Sequence, residues 1–382
     1  MAHILFVTWP GGGNQGPALG MARELQQRGH SVTFAGYEVQ RARFEASGFR
    51  FILLGRSAAA YRPDGELKTL LATVFAAADH LRDVPEAVSR TGCECLVVDC
   101  LQFGALAAAE DAGLPAAVLV HTTPGLIAAP ATRMDTLLRA PVNAMRVDAG
   151  KPPISTLWDA WAGFLTLCAT VMELDPLATQ VPSFCAYVGP IFEHPHASNW
   201  HDPWAGDDPR PLVLASFSTL WHWDQTSRIQ RTLAALAERP CRVLVTMGSV
   251  NPNLLAAPEN AVLVPYLPHA EVMSRAAVCV THAGHGTVTA ALAAGMPLVC
   301  LPNNGADQMP LSAQVEALGA GRALDGEACT PAEIAAAVEQ VLTEPSYAIS
   351  ARRLGRIIAG SPGATNAASR LEAYVEQSGG RT

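Results

Sequence analysis

Short apolar runs, many of them β-branched, alternate with alanine-rich stretches along most of the chain. In the first half, the runs HILFVT, SVTFAG, FRFILL, CLVVD and AAVLVH predict strands. The segments between them predict helices over 17–28, 38–47, 66–90 and 102–112. Strands that alternate with helices are typical of parallel sheets with crossover connections. This half is therefore predicted to form a Rossmann-like domain.

The same alternation restarts at residue 211. LVLASFS, CRVLVTMG, AVLVPY, AVCVTH and PLVCLP predict strands, and helices are expected near 224–238, 269–276, 287–294, 310–318 and 331–343. Between the halves, residues 188–211 are rich in Pro, Asp, Gly and His and follow neither period, which is typical of a linker. A last helix is expected over 364–377 and could belong to either domain. The predicted fold class is α/β, with two Rossmann-like domains.

Composition narrows the function classes. The 382 residues suffice for two domains, and 49% hydrophobic with 16% charged residues indicates a globular chain. The net charge of -8, without a Lys/Arg cluster, argues against nucleic-acid binding. No apolar run reaches the length of a membrane span and the start is unlike a signal peptide, so we expect a cytoplasmic protein.

The nine cysteines are scattered, and several lie in apolar runs, which favours reduced core thiols. Cys93, Cys95 and Cys100 lie close together in sequence. Their spacing matches no common zinc pattern, and no His follows at ligand distance. We therefore expect no metal site.

The most informative segment is VTHAGHGTVTAALAAGMPLVCLPNNGADQMP. A strand ends at Thr281, a glycine turn follows, and Thr287 opens a helix, whose N–H groups and dipole favour a phosphate. His282 and Thr287 can each add a hydrogen bond to the same phosphate. The alternative interpretation is that the glycines only form a tight turn between strand and helix. The next strand is followed by Asp307 and Gln308, which suit sugar hydroxyls. A phosphate site beside a hydroxyl site predicts a nucleotide-sugar ligand.

These residues resemble a known family. The pattern H-x-G-x-G-T, a helix, G-x-P and D-Q is similar to the donor-binding signature of inverting GT-B glycosyltransferases of the bacterial natural-product and macrolide type. LASFSTLWHWDQTSRIQRTLAAL, YVGPI, the GGGN loop and LVVDCLQFGALAAAEDAGLPAAVLVHTT resemble further segments of that family. The resemblance covers nearly the whole chain. It implies parallel sheets facing across a cleft, with an acceptor domain (1–190), a linker (191–210), a donor domain (211–363) and a C-terminal helix and tail (364–382).

The resemblance also implies roles for individual residues. Tyr266 is expected to stack on the nucleobase, with the Leu267 backbone at its edge, and Asp307 and Gln308 are expected to hold sugar hydroxyls. The residues expected around the donor phosphates are Ser218, Thr219, His282, Gly284, His285, Gly286 and Thr287. Two positions depart from the family: Ala290 replaces a ribose-binding Glu, and Leu311 replaces an Asn.

The expected general base is missing from the first loop. Family members carry a His there in a G-H-x-x-P context, and alignment on Pro17 places Gly13 on the glycine and Asn14 on the histidine. An amide is not a useful base, although it can orient an acceptor or a water. Asp99 matches the Asp that orients the family's His. It could be a helix cap, or the base itself if burial raised its pKa.

His121 ends the next strand and is held as an acceptor-site candidate together with Gly13; a structural role is the alternative. If no strong base is present, an acidic acceptor such as a phenol would still react. The predicted catalytic set is therefore Asn14 and Asp99.

The prediction is an inverting, metal-independent glycosyltransferase of antibiotic or natural-product biosynthesis, without a cofactor. It would transfer a sugar from a UDP- or dTDP-activated donor to a small hydrophobic acceptor, as a monomer or homodimer. Apolar residues near 67–81 and 121–165 are candidates for the acceptor pocket. The alternatives are another nucleotide-sugar enzyme, such as an epimerase, and a non-catalytic homologue that activates a partner glycosyltransferase.

Overall fold

The computed structural model describes residues 1–62, 67–193, 201–204, 206, 208–218, 224–305 and 307–379. The chain divides into two compact units. The first comprises Met1–Glu193 and Ser361–Thr382, and the second comprises His194–Gly360. Residues 194–200, 205 and 207 of the predicted linker lie outside the described residues.

The first unit is built on a seven-stranded sheet whose paired strands are all parallel, in the order β3-β2-β1-β4-β5-β6-β7. Its strands are β1 His3–Val7, β2 Ser31–Gly36, β3 Arg50–Leu53, β4 Cys95–Asp99, β5 Ala116–Val120, β6 Leu165–Cys168 and β7 Cys185–Tyr187. Successive residues of β1 alternate between the faces: Leu5 and Val7 join one apolar cluster, whereas Ile4 and Phe6 join the other. Helices cover both faces, which buries the strands almost completely.

The helices of the first unit connect these strands. They are α1 Gln15–Gln27, α2 Arg41–Ala46, α3 Gly55–Ala60, α4 Leu67–Leu70, α5 His80–Thr91, α6 Phe103–Ala109, α7 Pro124–Ala128 and α8 Arg133–Asp148. Short 3₁₀ helices lie at Glu38–Gln40, Leu157–Ala160, Met172–Leu174 and Ala178–Gln180.

The second unit has its own parallel sheet, in the order β10-β9-β8-β11-β12-β13. Its strands are β8 Leu212–Ser216, β9 Arg242–Thr246, β10 Ala261–Val264, β11 Val278–Thr281, β12 Leu298–Cys300 and β13 Gly321–Ala323. Its helices are α9 Thr226–Leu236, α10 His269–Val272, α11 His285–Ala293, α12 Gln308–Ala317, α13 Pro331–Thr343 and α14 Pro345–Ala359, with a 3₁₀ turn at Pro252–Leu254.

The last helix, α15 Gly363–Gly379, belongs to the first unit, which settles a question that the sequence left open. Its residues Ala367, Ala368 and Leu371 share an apolar cluster with α1. Glu372 accepts hydrogen bonds from Arg28 (Nη1–Oε2, 2.7 Å) and pairs with His30 (Nε2–Oε1, 3.0 Å). The C-terminal helix therefore completes the core that α1 begins.

The α/β class with two parallel sheets is confirmed, and every predicted strand is present. The single helix predicted over 66–90 is wrong. The chain instead forms α4, a π-helical turn at Leu71–Phe75, and then α5. The Thr73 carbonyl accepts the phenol of Tyr37 (2.8 Å), so a tertiary hydrogen bond holds this segment in place. The predicted helix over 269–276 shrinks to four residues.

Several elements were not predicted. The strands β6, β7 and β13 are short, at three or four residues, and give almost no periodic signal. Helix α14 was also missed. It follows α13 after one intervening residue, and Pro345 occupies its first position, where proline is favoured.

Helix α1 approaches the end of the first unit very closely at Gly20. A Cβ atom there would overlap the Phe192 carbonyl oxygen and lie 2.8 Å from Ile191 Cγ2. At Gly16, in the same helix, the nearest atom to such a Cβ would be Glu193 Oε2 at 3.9 Å. The two glycines therefore form a matched pair.

We expect Gly20→Ala to destabilise the protein by about 1–3 kcal/mol, because the added methyl group would push α1 away from the backbone of Phe192. Gly16→Ala should be neutral or stabilise by up to roughly 1 kcal/mol, because alanine favours a helix. Thermal unfolding of both variants measures the difference. Equal melting temperatures would contradict the packing described for α1.

Candidate active site

The polar residues of the first unit collect where β1, β4 and β5 end. These three strands are neighbours, and the strand order reverses between β1 and β4. Ligands of open α/β sheets bind outside the carboxyl ends of the strands at such a reversal. Trp9 follows β1, Asp99 ends β4, and His121 follows β5 directly.

Asp99 is the centre of this group. Its Oδ1 accepts hydrogen bonds from Trp9 Nε1 (3.0 Å) and the Leu101 backbone N–H (3.0 Å). Its Oδ2 lies 3.0 Å from His121 Nδ1. The carboxylate is 5% exposed, so these contacts replace most of its hydration.

His121 is largely buried between polar neighbours. Burial alone lowers its pKa, but the charge of Asp99 and the contact with Cys100 raise the pKa well above the ordinary 6.5. The Cys100 Sγ lies 3.6 Å from Nδ1, and burial raises the pKa of this thiol. One polar side-chain atom from each of Asp99, Cys100 and His121 (a carboxylate oxygen, the sulfur and a ring nitrogen) lies within 4.8 Å of the other two. The sequence did not anticipate this cluster, because its members come from two strands.

Asn14 is buried and tied to its own loop. Its Nδ2 donates to the Trp9 carbonyl (2.9 Å) and to Thr8 Oγ1 (3.1 Å). Among the residues described, its Oδ1 finds no protein partner and points toward Gly11. The side chain thus closes the glycine loop after β1. Its predicted catalytic role stays a prediction.

Gly13 is exposed and borders the imidazole of His121. A Cβ atom at Gly13 would lie 3.8 Å from His121 Cδ2. This ring edge therefore meets a loop position that carries no side chain.

A second buried polar group lies in the same unit. The Tyr37 hydroxyl donates to the Thr73 carbonyl (2.8 Å) and lies 3.0 Å from His80 Nε2. Because that hydroxyl hydrogen is used, His80 must donate from Nε2. Burial, which outweighs the opposing charge of Asp83, lowers the pKa of His80 to about 4.

The apolar residues proposed for the acceptor pocket are mostly core. Val74, Phe75, Leu157, Trp158 and Trp161 are all buried in one cluster. Trp161 donates its indole N–H to the Cys100 carbonyl (3.1 Å), and this hydrogen bond anchors the loop after β4 to the core. These side chains shape the site through packing.

The turn from a strand into a helix that the sequence predicts in the second unit is present, and its role in phosphate binding stays a prediction. β11 ends at Thr281, Gly284 is the N-cap, and α11 begins at His285. Ala283 has a φ of 60°, a strained value for a residue with a side chain. His282 is 8% exposed, and its ring folds over Gly284, where a Cβ would overlap Nε2 and lie 2.9 Å from Cε1. Gly286 is exposed, and among the described residues no atom lies within 4 Å of an added Cβ.

Other predicted donor residues follow further strands of the same parallel sheet, so they lie at its carboxyl edge. Ser218 is buried after β8, Tyr266 is 69% exposed after β10, and Leu267 is buried beside it. Thr287 is buried in the first turn of α11. Thr219 lies outside the described residues.

The segment after β12 contains a hydrogen-bonded amide chain that the sequence did not reveal. Gln225 Nε2 donates to Asn303 Oδ1 (2.9 Å), and the Asn303 backbone N–H donates to Gln308 Oε1 (3.1 Å). Gln308 is the first residue of α12, and Asp307 is its N-cap. Leu311 is fully buried, so the departure from the family's Asn lies in the core.

All nine cysteines are buried and free. Among the described helices, none is long and apolar enough to cross a membrane.

Comparisons with known proteins agree with this architecture. Residues 230–374 match the model of the C-terminal domain of erythromycin biosynthesis protein CIII-like proteins. An uncharacterized UDP-glucosyltransferase of Bacillus subtilis (strain 168) is 25% identical, over 99% of this chain and 98% of that protein. The crystal structure of CalG4, the calicheamicin glycosyltransferase, superposes with a TM-score of 0.78 at 25% identity, covering 98% of each chain.

The chain is a glycosyltransferase homologue with the GT-B fold, and the solved structures that it resembles include natural-product glycosyltransferases. The demethyllactenocin mycarosyltransferase of Streptomyces fradiae is 26% identical to this glycosyltransferase, over 79% of this chain and 71% of that protein. The resemblance to natural-product glycosyltransferases that the donor motif predicts is thereby confirmed.

We expect the glycosyltransferase to lose stability in mild acid through His80. Its pKa in the folded state, about 4, lies below the ordinary 6.5, so between these values the unfolded chain binds a proton that the folded chain does not. The stability that neutral His80 contributes is thus present above pH 6.5 and is lost as the pH falls toward 4. The pKa of His121 is raised, so its contribution to stability declines as the pH rises above 6.5; because His80→Gln retains His121, this contribution cancels when the two proteins are compared.

Urea unfolding at pH 7.5 and pH 5 measures this effect. The wild type should lose about 2 kcal/mol more than His80→Gln, which keeps a donor for Tyr37 but cannot titrate. Equal losses in the two proteins would show that His80 is not buried in the neutral form.

Proposed function

We propose that this glycosyltransferase transfers a sugar, with inversion and without a metal ion, from a UDP- or dTDP-activated donor to a small hydrophobic acceptor. A phenolic or polyketide-like acceptor is the class that we favour. The observation that carries the proposal is the turn from Thr281 to Thr287 in the second unit.

The turn suits the diphosphate of a nucleotide sugar. The first N–H groups of α11 have no acceptor within the helix, and the helix dipole places partial positive charge there. His282 and Thr287 flank the turn with groups that can donate hydrogen bonds to an anion. The exposed face of Gly286 leaves room for phosphate oxygens against the backbone.

This arrangement supports the departing group in an inverting transfer. The acceptor oxygen forms a bond to the anomeric carbon while the bond from that carbon to the diphosphate oxygen breaks. The electron pair and negative charge leave with the nucleoside diphosphate. A helix terminus aimed at that charge stabilises it as it develops, which is why we propose that no metal ion is required.

The relatives support both nucleotides. The Bacillus subtilis protein is named a UDP-glucosyltransferase, and the glycosyltransferase VinC was crystallised with dTDP. Tyr266, largely exposed, suits stacking on either base. Ala290 has no carboxylate for a ribose hydroxyl, so the donor would be held mainly by its base and phosphates, with Asp307 and Gln308 on the sugar.

The acceptor class is inferred from the relatives. Their names include calicheamicin glycosyltransferase and demethyllactenocin mycarosyltransferase, which are proteins of natural-product chemistry. In this chain, we place the acceptor at the carboxyl end of the first sheet, beside Gly13 and His121.

Gly286→Ala tests the donor site. The methyl group projects into open space, so folding is unaffected, but it would occupy the proposed phosphate position. We expect UDP and dTDP to bind about 10-fold more weakly or worse, which calorimetry measures. Gly55→Ala is the matched control, because Gly55 is also an exposed glycine in the first turn of a helix with nothing within 4 Å. Unchanged nucleotide affinity in Gly286→Ala would contradict the site.

Metal independence has its own test. Release of nucleoside diphosphate from UDP-glucose or dTDP-glucose, with a phenol as acceptor, should be unchanged by EDTA. A loss of turnover that Mg²⁺ or Mn²⁺ restores would contradict the proposal. Nucleotide binding without release under any condition would favour the non-catalytic alternative.

A further inference from the structure

We infer that His121 is the general base of the transfer and that Asp99 positions it, so that the base stands after β5 and not in the loop after β1. This inference rests on the proposed function, because it concerns the proton of the acceptor.

The hydrogen bond between the two residues sets the tautomer of the imidazole. An ionised carboxylate only accepts hydrogen bonds, so the ring nitrogen 3.0 Å from Asp99 Oδ2 must carry a hydrogen. That nitrogen is Nδ1. In the neutral ring the lone pair therefore resides on Nε2, which is the atom that can take a proton.

Asp99 is poorly placed to be the base itself. Trp9 and Leu101 donate to one carboxylate oxygen and His121 contacts the other, so both oxygens are engaged. Contacts from three segments hold the carboxylate in one orientation, which is what a positioning residue requires.

The reactive edge of His121 meets an opening. Nε2 is bonded to Cδ2, and Cδ2 faces Gly13, where even an added Cβ would remain 3.8 Å away. Gly13 is exposed and the His121 side chain is 11% exposed, so an acceptor hydroxyl can approach from this side. Asn14, by contrast, donates hydrogen bonds from Nδ2 to the Trp9 carbonyl and to Thr8 Oγ1.

The proposed step balances without a further reactant. As the acceptor oxygen bonds to the anomeric carbon, its proton passes to His121 Nε2 and the sugar–diphosphate bond breaks. The resulting imidazolium is stabilised by the negative charge of Asp99. The proton is then released to water, and the neutral base is restored.

The decisive experiment is an acceptor series with UDP-glucose and dTDP-glucose, from para-nitrophenol through para-methoxyphenol to benzyl alcohol. We expect His121→Gln to lower kcat/KM about 10²-fold or more for benzyl alcohol. The loss should be much smaller for para-nitrophenol, which ionises readily. UDP and dTDP affinity should be unchanged, because the donor site lies in the second unit.

His30→Gln is the matched control. His30 also pairs with a carboxylate in the first unit, at 3.0 Å from Glu372, but lies outside the proposed site. It should retain wild-type turnover. An equal loss for every acceptor in His121→Gln would overturn the base assignment alone, whereas a wild type that releases no nucleoside diphosphate would overturn the proposed function.

A pH profile gives a second route if His121→Gln does not fold. Asp99 and Cys100 are the titratable groups that face His121, and the Asp99 charge raises the pKa of the imidazole. The acid limb of wild-type kcat/KM should therefore lie above pH 6.5. In Asp99→Asn the limb should shift to lower pH, with lower turnover. A limb that does not move would contradict the inference.

Discussion

The buried carboxylate of Asp99 is the group on which the first unit's site depends. Removing a carboxylate from water costs several kcal/mol unless hydrogen bonds replace its hydration. Here Trp9, Leu101 and His121 provide those bonds, and they come from three different segments. Hydrogen bonds to a charged group are typically worth about 1.5–3 kcal/mol each. Their combined effect is to fix the loops after β1, β4 and β5 relative to one another.

The proposed site in the second unit relies on the dipoles of fixed backbone N–H groups, whereas the site in the first unit is made of side chains. Its turn after β11 combines the strained Ala283, the N-cap Gly284 and the folded ring of His282. Strain of this kind persists only where surrounding structure enforces it. β11 enforces it here, because the strand is completely buried between β8 and β12. Under the proposed function, this turn would hold the departing diphosphate, and His121 would take the acceptor proton.

The sequence predicted the long, strongly patterned elements and the position of the turn between β11 and α11. That turn was readable because His282, Gly284, Gly286 and Thr287 follow one another within six residues. The contacts of Asp99 were not readable, since Trp9 and His121 lie about 90 and 20 residues away and only strand order brings them together. The one available signal for Trp9 was its position, as an aromatic residue directly before the glycine loop. Strands of three residues, such as β7 and β13, form because a neighbouring strand pairs with them, and no local sequence pattern predicts them.

The departure at Asn14 illustrates the same limit. The resemblance to the family predicts a histidine at this loop position, but it cannot show what the amide does there instead. In the structure the amide binds Thr8 and the Trp9 carbonyl, and a histidine from the next strand over meets Asp99. A change at one position is thus intelligible only with the topology of the sheet in view.

The anomeric configuration of the product tests the central claim most directly. The glucosyl group of UDP-glucose is α-linked, so proton NMR of the glycoside formed with a phenol should show only the β anomer. An α-glycoside would contradict the inverting transfer on which this account rests.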